Sequence, residues 1–148
     1  MKGAEFMLAC MSAAQKSSID MLMYNDTRTT IYNGAFDFYT QRPLKGYYSL
    51  KWYGMFYDMC NEIRCEETDE DIYTLCGLDK DNKILCTVTY YAKVEDEAEN
   101  KEITLDFGRE GEYEIYLLDE DHDAELIKTT KETAFTMQPN SCIMIKEI

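Results

Sequence analysis

From Asp71 onward the sequence is a train of short apolar segments separated by turn-forming clusters. Asp71–Leu78, Ile84–Tyr91, Lys101–Phe107, Tyr113–Leu118, Glu125–Thr129, Thr133–Met137 and Cys142–Lys146 each read as a strand. Alternation is plain in Ile103, Leu105 and Phe107, and again in Cys142 and Met144 against Ile143 and Ile145. Asp79-Lys80-Asp81-Asn82, Gly108-Arg109-Glu110-Gly111, Asp119–Asp123 and Pro139-Asn140 supply the turns. Their side chains bend a chain by accepting backbone hydrogen bonds or by fixing φ. About seven short strands at this spacing predict an antiparallel β-sandwich. Val94–Asn100 is expected as a solvated loop between two of them.

The first 60 residues follow a different rule. Ala4 to Ala14 forms a helix pattern with almost no polar face, Glu5 and Ser12 being the exceptions, so it is expected to be buried on most sides. Ile19 to Tyr24 is a short, nearly continuous apolar run, the pattern of a strand covered on both faces. A long connection from Asn25 to about Gly46 follows, and loops of that length are usually functional or lie at interfaces. Tyr47 to Cys60 reads as a second helix rich in aromatics. Helix, buried strand and helix make a repeating unit of an α/β fold, and the strand needs parallel neighbours that these residues do not supply. The expected organisation is a helix–strand–helix remnant over residues 1–60 and a β-sandwich over residues 61–148, mainly β in class.

Charge divides the chain at the same place. The net charge is −14. Residues 1–60 carry six Lys/Arg against five Asp/Glu, whereas residues 61–148 carry nine against 24. So acidic a second half repels phosphate backbones, which makes nucleic acid a poor partner. No apolar run is long enough to span a bilayer. The stretch from Phe6 to Met11 is too short for a signal peptide. The six cysteines form no CxxC, and no Cys/His spacing matches a zinc site. Reduced thiols acting as small core residues, in a cytoplasmic protein, are the economical expectation.

The run Ser18-Ile19-Asp20-Met21-Leu22-Met23-Tyr24-Asn25-Asp26-Thr27-Arg28, then Tyr32-Asn33-Gly34 and Pro43-Leu44-Lys45-Gly46-Tyr47-Tyr48, resembles the end of a glycoside hydrolase barrel of the family 39, β-xylosidase-like type. Ile103–Phe107, Tyr113–Asp119 and Pro139–Cys142 resemble the β-sandwich appended to such barrels. The resemblance implies that residues 1–60 are the last helix–strand–helix of a (β/α)₈ barrel, with Ile19–Tyr24 as its eighth strand. In that family both catalytic carboxylates sit on earlier strands, and neither has a counterpart here. A retaining glycosidase needs two carboxylates roughly 5 Å apart, so the chain is not expected to be an enzyme on its own.

Asp26, Arg28, Tyr32 and Asn33 follow the barrel-like strand at its C-terminal end, the face where barrel active sites lie. They are the candidate sugar contacts of a complete barrel, or else a polar loop held by Asp–Arg pairing. The aromatics from Tyr47 to Tyr57 are read as packing residues, since their spacing is helical. His122 sits in an acidic turn, and Asp119–Asp123 lacks the glycine and ligand pattern of an EF-hand loop. No catalytic residue, metal site or cofactor is therefore assigned. Three functions remain open at this stage. One is a non-catalytic accessory region of a glycoside hydrolase. The second is an oligomerising protein that pairs with its own copies, or with a chain carrying the rest of the barrel, through residues 1–60. The last is a free-standing carbohydrate-binding module for an oligosaccharide.

Overall fold

A computed structural model describes residues 2–24, 34–94 and 97–148. Two helices, α1 (Lys2–Gln15) and α2 (Lys45–Met55), precede eight strands. These are β1 (Asn61–Ile63), β2 (Ile72–Leu78), β3 (Ile84–Tyr90), β4 (Lys101–Thr104), β5 (Tyr113–Leu118), β6 (Asp123–Thr130), β7 (Ala134–Met137) and β8 (Ser141–Glu147). Six of them form one antiparallel sheet in the order β1-β2-β3-β8-β5-β6, and β4 pairs with β7 in a second, two-stranded sheet. The fold is mainly β and sandwich-like, as the alternation of apolar segments predicts.

The large sheet has two apolar faces, and that is why its central strands show almost no polar exposure. On one face Cys86, Val88 and Tyr90 of β3, Ile143 and Ile145 of β8, and Tyr113 and Ile115 of β5 meet Phe135, Met137 and Ile103 of the small sheet. On the other, Leu85, Leu118, Cys142 and Met144 meet Ala4 and Leu8 of α1 and Trp52 of α2. Successive side chains of a strand point to opposite faces, so a strand between two layers must be apolar throughout. β3 is the clearest case, buried at every position.

The helices are fastened to each other and to the sheet by specific bonds. The Ser49 hydroxyl donates to the Ala4 carbonyl across the helix pair at 2.9 Å, inside the core. Lys45 donates to the His122 carbonyl at 2.9 Å and pairs with Asp123 at 2.7 Å, which ties the start of α2 to the β5–β6 hairpin. Lys16, just past α1, pairs with Glu67 ahead of β2. Glu5 is fully buried on the sheet side of α1. Complete burial, and after it the Glu5 carboxylate, push the Cys142 thiol up.

Three expectations change. Ile19–Tyr24 is not a strand, and its apolar side chains are exposed rather than covered, Met21 by 73% and Met23 by 81%. A barrel strand needs a parallel neighbour on each side to satisfy its N–H and C=O groups, and every strand pair formed among the described residues is antiparallel. The second helix stops at Met55 and tightens into a 3₁₀ turn at Phe56–Asp58. The Lys101–Phe107 strand closes at Thr104, the last residue with a partner on β7.

Candidate functional site

Asp26, Arg28, Tyr32 and Asn33, the sugar-contact candidates, lie outside the described residues. What the structure places is the segment that follows them. Ala35–Leu44 closes on itself: the Leu44 N–H donates to the Ala35 carbonyl at 2.9 Å, the Asp37 N–H donates to the Arg42 carbonyl at 2.8 Å, and Phe36 bridges Pro43. The Asp37 carboxylate accepts the N–H groups of Tyr39 and Thr40 and the Thr40 hydroxyl. Those bonds, the Thr40 N–H above all, hold its carboxyl below the usual carboxylate range. Phe36 packs its ring on Tyr47 of α2, with centroids 5.3 Å apart. The closed loop presents Phe38 and Tyr39 at its tip, 51% and 84% exposed and edge to face. Sequence reasoning missed both rings, because it weighed aromatics only where helical spacing drew attention to them.

Within Tyr47–Tyr57 the packing assignment holds for most rings. Trp52 is buried, and Tyr48, Tyr53 and Phe56 pack against the same core. Tyr57 differs, with 93% of its surface in solvent. No flat strip of rings forms from these residues.

The acidic residues of the sandwich serve its turns. Asp79 accepts the N–H groups of Asp81 and Lys83, and Asp106 accepts that of Gly108. Glu67 accepts both the N–H and the hydroxyl of Thr74. Glu147 accepts the Ile84 N–H and pairs with Arg109. Asp69 pairs with Lys101 at 2.6 Å and also accepts the Asp71 N–H, and these bonds hold its carboxyl low. A general acid at neutral pH needs the opposite shift, a carboxyl raised by burial or by a like charge.

Lys101 lines one wall of an open cleft of about 410 Å³. Tyr90, Asp71, Lys93 and Glu70 belong to the same cleft. The Lys101 ammonium lies over the Tyr90 ring, 4.7 Å from its centroid, and Lys93 pairs with Glu70 at 3.3 Å and Asp71 at 3.4 Å. Each cation there already has carboxylate partners. Among the described residues no group of three His, Cys, Asp or Glu side chains is arranged to hold a metal ion. Nor is any helix among them long and apolar enough to cross a membrane.

His122 is the one histidine of the chain. Its Nδ1 lies 2.8 Å from the Asp119 carboxylate, which also accepts the N–H groups of Asp121 and His122. The bond to Asp119 holds the imidazole above its ordinary value. Burial pushes Asp119 up, but the hydrogen bonds from His122 and Asp121 outweigh it, leaving the carboxyl low. A histidine with a raised folded pKa stabilises the fold fully below its unfolded value and loses that contribution as pH rises through the folded one. A lowered Asp contributes above its unfolded value and loses that as pH falls through its folded one. The pair therefore supports the turn on a plateau between the two ordinary values. NMR titration of the single imidazole is expected to give a pKa above about 6.5, the ordinary histidine value. In Asp119→Asn it should fall back toward that value. An unshifted wild-type titration would show that the contact does not persist in solution.

Comparison with known proteins follows the fold. No protein-family model matches the chain, and no curated protein matches it. Solved structures do. The whole chain superposes on a GH30 endoxylanase from Clostridium papyrosolvens C71, with a TM-score of 0.64, 12% identity and coverage of 39% of that enzyme. It superposes over 97% of its length on Xyn30A, a glycoside hydrolase family 30 subfamily 8 xylanase from Clostridium acetobutylicum, with a TM-score of 0.66, 9% identity and the same 39% coverage. A conserved exported protein from Bacteroides fragilis matches 71% of the chain, with a TM-score of 0.56, 14% identity and 22% coverage. What these share with the chain is the fold. The chain spans about two fifths of each xylanase. The glycoside hydrolase resemblance thus meets structural neighbours in family 30, while no neighbour named here belongs to family 39.

Proposed function

We propose that this chain is the C-terminal accessory region of a glycoside hydrolase, and that hydrolysis is performed by carboxylates it does not carry. The observation that supports this best is the match of the whole chain, helices included, to 39% of each of two family 30 xylanases. An isolated sandwich module would account for the strands and leave the two leading helices without a reason. Within the class, the sequence motif favours a family 39, β-xylosidase-like parent and the structural neighbours favour family 30. A xylose-based substrate for the complete enzyme is common to both.

The chain's part in that enzyme is to form one wall and brace it. In this reading residues 1–60 dock on the rest of a barrel, and the exposed apolar run Ile19–Tyr24 is part of the docking surface. Asp26, Arg28, Tyr32 and Asn33 are then the candidate sugar contacts of the complete barrel.

The test is direct. The purified chain, at high concentration, is incubated with 4-nitrophenyl β-xyloside and with xylan. No turnover above buffer is expected. Turnover that follows the folded protein through purification would overturn the accessory reading. The carbohydrate-binding alternative makes a different forecast, namely saturable heat on titration with xylo-oligosaccharides in the absence of any barrel.

A further inference from the structure

Cys76 of β2 faces Cys86 of β3 in register. The kind of cross-strand site they occupy decides whether they can be joined. The Tyr91 N–H donates to the Asp71 carbonyl at 3.0 Å, and the Asp79 N–H donates to the Lys83 carbonyl at 3.0 Å. Those two residue pairs, at opposite ends of the hairpin, are hydrogen-bonded pairs. Pairs alternate in type along an antiparallel ladder. Counting inward from either end places Cys76 and Cys86 at a non-hydrogen-bonded site. There the Cα atoms stand about 4.5 Å apart and the side chains are at their closest. A disulfide accepts Cα separations of roughly 4.4–6.8 Å, so this site can take one without moving the strands far.

A third thiol leads to the pair. Ile63 of β1 is the register partner of Cys76, and Cys65 follows two residues later, packed against the same core cluster. Cys76 and Cys86 are 3% and 2% exposed, whereas Cys65 is only half-buried. Cys65 packs against the cluster that holds both other thiols, and Cys76 faces Cys86 across the hairpin. The three thiols form a row from the rim of the sheet into the core.

We propose that Cys65, Cys76 and Cys86 are a thiol relay, in which Cys65 takes up a disulfide oxidant and the bond finally closes between Cys76 and Cys86. With oxidised glutathione, the Cys65 thiolate attacks one glutathione sulfur and expels one glutathione thiolate. The Cys76 thiolate then attacks Cys65 Sγ and releases the second glutathione. Finally the Cys86 thiolate attacks Cys76 Sγ and returns Cys65 as a free thiolate. Two protein thiols are oxidised, and one glutathione disulfide is reduced to two thiols. The neighbouring Cys76 thiol and burial push the Cys65 thiol up, and for Cys76 the pull of Cys65 is outweighed by Cys86 and burial. Thiolate is the attacking form, so these shifts slow each exchange step. This inference is independent of any glycosidase role.

The full chain in its native state is incubated with oxidised glutathione, acid-quenched, alkylated and digested with trypsin. Cleavage after Arg64, Lys80, Lys83 and Lys93 puts Cys65 and Cys76 in the peptide 65–80 and Cys86 in the peptide 84–93. The expected product is 65–80 linked to 84–93, with Cys65 alkylated. Cys60 is exposed, and its glutathionylation confirms that the oxidant was active. Cys65→Ser, checked by circular dichroism for an unchanged fold, is expected to slow closure by roughly tenfold or more, since attack on a buried sulfur is limited by access. Recovery of both peptides unlinked and fully alkylated, while Cys60 has reacted, overturns the proposal. So does a bond confined to 65–80, or an unchanged rate in Cys65→Ser.

Discussion

Trp52→Ala is expected to lower the stability of the chain by about 3–5 kcal/mol, the range for deleting a large aromatic from a packed core. Trp52 is 2% exposed, and it stands where α1, α2 and the sheet meet, among Ala4, Leu8, Leu85, Leu118, Cys142 and Met144. No neighbour can fill the space, because Ala4 is too short and Leu85 is fixed on the fully buried strand β3. A domain's whole stability is about 5–15 kcal/mol, so the loss is a large fraction of the total. Urea unfolding followed by far-ultraviolet circular dichroism measures it. Tyr57→Ala is the matched control, since that ring is 93% exposed and surface substitutions usually stay within about 0.5 kcal/mol. Equal midpoints for the two variants would mean that the helical layer does not pack on the sheet as described.

The second large effect concerns association. Ile19, Met21, Leu22, Met23 and Tyr24 are all more than a third exposed, in one short stretch. Fully burying a Leu or Met side chain is worth about 1.5–3 kcal/mol. The wild-type chain is therefore expected to sediment as a dimer or larger species that dissociates on dilution. Replacing Leu22 and Met23 by Asp removes at least two such side chains from the contact. An association constant lower by roughly a hundredfold or more follows, with an unchanged circular dichroism spectrum. A wild-type chain that stays monomeric at all concentrations would count against residues 1–60 as a docking surface.

Much of the sandwich was legible because strands between two layers have little freedom of composition. Tyr113–Leu118 was read to the residue, and the other six strands of the second half were found within a few positions. β1 was missed: three residues, Asn61-Glu62-Ile63, are too few and too polar to show a period, and they are strand only because β2 offers an edge. Ile19–Tyr24 failed for the converse reason. Its composition suits a covered strand, but pairing is a property of neighbours, and a local pattern says nothing about whether they are present. The candidate site was less legible still. Phe38 and Tyr39 become noticeable only once Asp37 and the Phe36–Pro43 bridge are seen to close the loop beneath them. The thiol row depends on register, since Cys65, Cys76 and Cys86 are unremarkable until β1, β2 and β3 are laid side by side.

The strand order carries a consequence for how the chain is made. β8, residues 141–147, lies between β3 and β5, so it joins the β1-β2-β3 half of the large sheet to the β5-β6 half. Synthesis runs from the N-terminus, and until those seven residues have left the ribosome the nascent polypeptide holds a β1-β2-β3 meander and a separate β5-β6 hairpin, each with a bare inner edge. Open edges of that kind invite pairing with other chains. A chain halted before residue 141 would thus leave a sticky intermediate, whereas the arrival of β8 closes both edges in one step.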